Sequence, residues 1–189
     1  MAARISVIRV ISVLFFLYAV ALALGAGEPR PTRYGMTSRR EFVGRLIAAG
    51  PTRTLSGEAG RYVVTAEAVR RAVDEGLFQG LACFIDHAAG RPSLRRLIGV
   101  WHSVVWDAAQ GAAVGRLRAY ETAATRPVLD LLTQVLEDHE PPDVGVSLVF
   151  YPRLAADGRT VTALLMVESA DLVMFPASPV CRLLAVGGQ

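Results

Sequence analysis

Three side chains of this chain could together carry out nucleophilic hydrolysis: His87, Ser147 and Asp171. Each of them lies in an otherwise apolar segment. A histidine can take a proton from a serine hydroxyl, and a carboxylate can orient the imidazole ring and stabilise its charged form. Such a triad is recognised by the roles of its members and not by their order along the chain. Asp171 follows Ser147 across one predicted hairpin, and Glu168 is the rival for the carboxylate role.

Each of these residues also has a plainer interpretation. Ser147 could be a small strand residue, His87 a packed or surface residue at a strand end, and either carboxylate an exposed edge group. His102 shares a strand face with apolar residues and is expected to be a core or lining histidine, whereas His139 is expected to be exposed in an acidic loop. Gly145, two positions before the serine, is expected to leave space beside the hydroxyl for a substrate backbone.

The length, charge and composition limit the classes of protein to which this chain can belong. The chain has 189 residues and a formal net charge of +3, which suits one domain with a short appendage. All basic residues are arginines, scattered or in short pairs, so we predict solvated faces and no nucleic-acid recognition. No glycine-rich phosphate loop and no histidine pair with metal-ligand spacing occurs in the sequence, so no cofactor or metal is expected. Cys83 and Cys181 are predicted to be two buried thiols.

The N-terminus has a different character from the rest of the chain. Residues 10–27 form an uncharged apolar run behind two arginines, which is typical of a signal peptide or a short membrane anchor. Met36 offers a second start, so the run is equally consistent with a spurious upstream extension. We therefore separate residues 1–36, this segment and its linker, from a globular domain over residues 37–189. Contact with a membrane is expected only if the segment is real.

The apolar patterns predict about six or seven short strands and two or three helices. Thr65 is a plausible N-cap for one helix, and Pro127 suits the first turn of another. Asp157 and Gly158 signal a hairpin turn that joins strands over residues 144–151 and 161–167. Further strands are predicted over residues 61–64, 97–107, 114–120 and 172–175, and residues 41–49 suit a short strand or helix. The expected class is α+β: a mainly antiparallel β-barrel, or a strongly bent sheet, ringed by helices.

Around His87, Ser147 and Asp171 the chain resembles the tailed-phage prohead maturation proteases, which share the assemblin-like fold of the herpesvirus capsid proteases. The resemblance extends over residues 41–177 as an ordered series of short segments. Those segments are 60–65, 78–80, the strand that ends at Asp86 and His87, 97–101, 145–148 and 169–173.

The resemblance implies a serine endopeptidase in an assemblin-like barrel, over the domain of residues 37–189. Such enzymes act inside the procapsid in the host cytoplasm, where they cleave scaffold protein, segments of the major capsid protein and themselves. His87 and Ser147 then correspond to the catalytic pair. Asp171 corresponds to the third member, a carboxylate in phage enzymes and a second histidine in herpesvirus enzymes. Homo-oligomerisation is left open by this resemblance.

Two other functions remain open at this point. The first is a catalytically inactive structural or scaffold-associated phage protein that keeps the barrel. The second is an exported envelope binding protein, motivated by the signal-like N-terminus, which predicts a cleaved or membrane-held N-terminus and is compatible with a Cys83–Cys181 disulfide. The protease hypothesis predicts that His87 and Ser147 lie on adjacent strands within hydrogen-bond reach, and that Asp171, not His102, approaches the His87 ring.

Overall fold

The computed structural model describes residues 40–53, 59–87 and 93–184. In these ranges the chain forms nine strands and two α-helices. The strands are β1 (Glu41–Ala48), β2 (Gly50–Arg53), β3 (Ala59–Val64), β4 (Ala82–Phe84), β5 (Leu97–Asp107), β6 (Ala112–Ala119), β7 (Val144–Leu154), β8 (Thr160–Met174) and β9 (Leu183–Leu184). The helices are α1 (Ala66–Asp74) and α2 (Arg126–Glu137). The apolar N-terminal segment and the boundary at residue 37 lie outside the described residues, so that division stays a prediction.

All nine strands belong to one sheet, in the order β2-β3-β8-β4-β5-β6-β1-β9, with β7 paired to β8 outside this path. Most neighbours are antiparallel, but β3 and β4 both run parallel to β8. Because β7 follows one edge of β8 along its length, β3 and β4 share the opposite edge. Strand β8 is therefore the element around which the rest of the sheet is organised.

The class is α+β, as expected, but the expected closed barrel of six or seven strands is wrong. The sheet curls into a half-barrel. Among the described residues, the backbone pairing between β7 and the segment before β9 consists of an isolated bridge between Gly145 and Arg182 and a 2.8 Å hydrogen bond from Val146 N–H to the Cys181 carbonyl. A closed barrel requires a continuous hydrogen-bonded ladder around its circumference, which one bridge does not supply.

Strand β8 also differs from the prediction of two strands separated by a polar break. It is a single strand of 15 residues. The predicted break fell at Ser169 and Asp171, whose polar side chains are typical of loops, yet both are buried in the structure. The Ser169 hydroxyl donates to the Asp171 carboxylate at 2.9 Å, so each group satisfies the other within the sheet. The candidate carboxylate consequently lies inside a strand.

Local sequence signals account for most of the element boundaries. Thr65 caps α1, where its hydroxyl oxygen accepts from Ala68 N–H at 3.2 Å, as predicted. Pro127 lies in the first turn of α2, which needs no donor there. Between β7 and β8 the Asp157 carboxylate accepts from the backbone N–H groups of Arg159 and Thr160, and Gly158 adopts a φ of 64°. The predicted turn between these strands is confirmed.

The core lies between α1 and the concave sheet. Helix α1 buries Ala68, Val69 and Ala72 against the strands, and the fully buried Trp101 of β5 fills the centre. Trp101 Nε1–H donates to the Ala170 carbonyl at 2.8 Å, which ties the core to β8 beside Asp171. Within the described residues, none of the helices has the length and apolarity needed to cross a membrane.

Candidate active site

Three neighbouring strands supply the three candidate residues. Ser147 on β7 is the direct register partner of Asp171 on β8, so the two side chains lie on the same face of the sheet. On the other edge of β8, Ile85 at the end of β4 forms a parallel bridge with Leu172, and His87 follows two residues later. His87 and Ser147 therefore lie on the two sides of β8. The expectation that they occupy adjacent strands is wrong, because the carboxylate strand runs between them.

His87 and Asp171 are in direct contact. His87 Nδ1 lies 2.9 Å from Asp171 Oδ2, where the half-exposed ring meets a carboxylate whose side chain is only 2% exposed. The same carboxylate accepts from Phe84 N–H at 3.2 Å and from the Ser169 hydroxyl at 2.9 Å. A carboxylate that accepts from Nδ1 selects the tautomer in which Nε2 is the free base. This is the arrangement that general-base catalysis by a histidine requires.

His87 and Ser147 face a common cavity. It has a volume of about 450 Å³ and opens to solvent, and Ser147 is 8% exposed at its wall. The lining residues are Arg53, Asp86, His87, Ser147, Val173, Met174, Phe175 and Ala177. The structure describes the side chains of both His87 and Ser147, and no hydrogen bond joins the two. Catalytic hydrogen bonds of this kind often tighten only when substrate binds.

Two residues in this cavity wall have strained backbones. Asp86 has a φ of 59° and Phe175 a φ of 56°, both in the left-handed region that favours glycine. A backbone hydrogen bond of 2.8 Å holds each one: Asp86 N–H donates to the Leu172 carbonyl, and Phe175 N–H donates to the Asp143 carbonyl. Such strain persists where the surrounding structure imposes it, and it is concentrated at functional sites.

Gly145 does not leave open space beside Ser147, so that expectation is wrong. A Cβ atom at this position would lie 2.1 Å from the Cys181 carbonyl oxygen and 2.7 Å from Pro176 Cγ. The glycine is needed because the chain before β9 packs directly on β7. Ser147 also lines a second, small and mostly apolar cavity of about 40 Å³, together with residues of β1, β2 and β7. Ala177 borders both cavities, so the serine lies where they meet.

The chain matches no protein-family model and no curated protein sequence. Its structure is similar to that of the bacteriophage T4 capsid assembly protease, with a TM-score of 0.38 and 11% sequence identity. The alignment covers 71% of this chain and 98% of that chain.

The other candidates from the sequence lie elsewhere. Glu168 is exposed and accepts from the Tyr151 hydroxyl at 2.8 Å, a hydrogen bond that raises the pKa of Tyr151. His102 is not the expected core histidine: it is half-buried on β5, with Nε2 3.1 Å from Glu41 Oε1 and Nδ1 3.0 Å from the hydroxyl of its neighbour Ser103. His139 is exposed, as predicted. Neither the rival carboxylate nor a second histidine contacts His87.

The two cysteines are free thiols and both are buried, as predicted. Burial raises the pKa of Cys83 far above its usual range, and the nearby Asp171 charge adds to the effect. Burial also raises the pKa of Cys181 to about 11. The disulfide that an exported protein would form between them is not present. Over residues 40–53, 59–87 and 93–184, no group of three His, Cys, Asp or Glu side chains could hold a metal ion.

Sequence reasoning missed two residues of this site. Ser169 supports Asp171, and its signal was available, since residues two apart on a strand share a face. Arg53 lines the cavity and binds the segment that follows β8, through its side chain and its backbone. Nothing local marks Arg53, because its partners lie far away in the sequence and belong to other elements.

Proposed function

We propose that this chain is a serine endopeptidase of phage capsid maturation. The observation that carries the proposal is the buried Asp171 carboxylate, 2.9 Å from His87 Nδ1, beside a serine that is its register partner and shares the His87 cavity. The carboxylate that holds the His87 ring is itself almost fully buried and accepts from two further donors. Burying a carboxylate costs free energy, and this arrangement suits a histidine base whose ring must be held in one orientation.

The geometry supports a two-stage acyl transfer. Ser147 Oγ attacks the peptide carbonyl while His87 Nε2 takes the hydroxyl proton, and Asp171 stabilises the resulting imidazolium. The imidazolium then gives its proton to the leaving amine as the carbon–nitrogen bond breaks. Water hydrolyses the acyl-enzyme in the second stage, with His87 again acting as base. Because Ser147 belongs to a strand that is hydrogen-bonded to the Asp171 strand, the nucleophile is held rigidly.

The capsid substrates are proposed from the sequence resemblance over residues 41–177. On this proposal the partners are the major capsid protein and the scaffold protein, and cleavage takes place within the procapsid. The apolar second cavity beside Ser147 supports a substrate segment that presents an apolar side chain near the scissile bond.

The second candidate is an inactive structural phage protein with the same sheet. One observation favours it: no hydrogen bond joins His87 to Ser147 among the described residues. The two candidates differ in whether the Ser147 hydroxyl reacts, so one experiment separates them.

That experiment is co-expression with the capsid and scaffold proteins of the same genome, read by intact mass. Wild type is compared with Ser147→Ala and with the control Ser103→Ala, which removes an exposed β5 hydroxyl that is hydrogen-bonded to His102. We expect cleavage of the partners, or of this chain, in wild type and in Ser103→Ala, and none in Ser147→Ala. Equal products from wild type and a folded Ser147→Ala variant would refute the protease.

A further inference from the structure

Arg53, the last residue of β2, makes contacts that the chemistry proposed for Ser147 does not use. Its Nε donates to the Pro176 carbonyl at 2.8 Å, and its backbone N–H donates to the Ala177 carbonyl at 2.7 Å. Its guanidinium also pairs with the Asp143 carboxylate. The Arg53 and Asp143 side chains are 21% and 19% exposed. The pair is therefore sheltered from solvent screening, which makes most exposed ion pairs weak.

These contacts join the two strand ends nearest to the candidate site. Asp143 immediately precedes β7, four residues before Ser147, and Pro176 follows soon after β8, which carries Asp171. Because β7 and β8 are antiparallel, the start of one lies beside the end of the other, and the hairpin turn closes the opposite end. Arg53 therefore clamps the open end of the pair, about 13 Å along the strand from the serine.

The clamped segment is also the strained wall of the cavity. Phe175, with its φ of 56°, and Ala177 both line the cavity that His87 and Ser147 share. Phe175 N–H donates to the backbone carbonyl of Asp143, whose side chain Arg53 holds. A non-glycine residue keeps such a backbone conformation only when its surroundings impose it. Arg53 binds the carbonyls of the next two residues and so supplies that restraint.

We propose that Arg53 is a positioning residue, which holds the wall formed by residues 175–177 in register with Ser147. This role rests on the proposed function of Ser147. A planar guanidinium can donate in two directions at once, here to the Pro176 carbonyl and to Asp143. A lysine ammonium keeps the charge but lacks this fork, so Arg53→Lys separates the geometry of the clamp from its charge.

The test compares wild type, Arg53→Lys and the control Arg70→Lys, an exposed α1 arginine paired with Glu67. A fluorophosphonate probe, which phosphonylates activated serines with loss of fluoride, measures the reactivity of Ser147 by intact mass and peptide mapping. Amide hydrogen exchange at Phe175 measures the clamp without requiring activity. Thermal unfolding checks that each variant is folded.

We expect Arg53→Lys to label Ser147 about 10–100-fold more slowly, because small misplacements of a catalytic group cost this much. Phe175 N–H should exchange about tenfold faster or more, while the melting temperature and the Arg70→Lys control stay close to wild type. Equal labelling and equal exchange in Arg53→Lys would overturn the role of Arg53 and leave the protease proposal intact. A wild type that the probe does not label at Ser147 would overturn both.

Discussion

Asp171→Asn should leave the protein folded but remove most of the reactivity of Ser147. Asp171 accepts three hydrogen bonds: Phe84 N–H binds Oδ1, and the Ser169 hydroxyl and the His87 ring bind Oδ2. Asparagine has one acceptor oxygen and one amide that only donates. The backbone donor of Phe84 cannot turn away, so the oxygen of asparagine should take the Oδ1 position and the amide should replace Oδ2.

This orientation of the asparagine side chain predicts the size of the loss of stability and the size of the loss of Ser147 reactivity. The Ser169 hydroxyl can rotate to accept from the new amide, so the loss of stability should be about 1–3 kcal/mol, or about 2–12 °C in melting temperature for a domain of this size. His87 Nδ1 must also become an acceptor, which moves the ring proton to Nε2 and removes the base that faces Ser147. A wrong tautomer of this kind lowers the rate about 10⁴-fold, which corresponds to about 5 kcal/mol of activation free energy. The effect on rate therefore clearly exceeds the effect on stability.

The assay is the second-order rate of fluorophosphonate labelling at Ser147, with circular dichroism and thermal unfolding on the same samples. Glu168→Gln is the matched control, since it makes the same chemical change to the exposed rival carboxylate on the same strand. It should label at the wild-type rate. If folded Asp171→Asn labels within about threefold of wild type, the tautomer reasoning fails and Asp171 is a structural carboxylate.

Two further predictions concern titratable groups away from the chemistry. Cys181 should resist Ellman's reagent near pH 8 in the native protein, because a pKa of about 11 leaves roughly one thiol in a thousand ionised, and the more strongly shifted Cys83 should resist it too; fast reaction before unfolding would contradict this. Hydrogen bonds from the Thr160 hydroxyl and from two backbone N–H groups lower the pKa of Asp157 from 3.8 to about 2. Its stabilising contribution should therefore be complete above the ordinary value and disappear as the pH falls through the folded value. Urea unfolding across this pH range should show the loss in wild type and not in Asp157→Asn, and equal losses in both would count against the turn carboxylate.

Elements with strong local signals could be predicted from the sequence. The Thr65 cap and the Asp157 turn depend on contacts within a few residues, and the structure contains both. The strand predicted over residues 97–107 is also present, but its alternation of faces is interrupted where the pairing with β6 shifts register between His102 and Val105. Strands β2 and β9 were missed, because each is short and is defined by its partner more than by its own residues. Closure of the sheet was predicted wrongly for the same reason, since it depends on pairing between distant strand ends.

The choice between Glu168 and Asp171 could not be made from local sequence patterns. Glu168 and Asp171 lie three residues apart on one strand, but the pairing with β7 shifts register between Ser169 and Val167, which leaves Glu168 as an extra residue. The strand period of two therefore does not give the face of Glu168 relative to Asp171. The polar residues between them predicted a break in the strand, which the structure does not contain. Only the buried hydrogen bond from Ser169 to Asp171 shows why the strand continues.

The sequence by itself identified the candidate reactive groups, which are one serine, one histidine and two rival carboxylates. It also identified the helix cap and the turns that delimit their elements. The tertiary structure decided that Asp171 meets His87, that β8 runs between His87 and Ser147, and that Arg53 contacts the cavity wall. These outcomes depend on the parallel approach of β4 to β8 and on polar groups satisfied inside the sheet. Pairings of this kind join distant parts of the chain, and their free energy comes from burial and hydrogen bonding that no local pattern records.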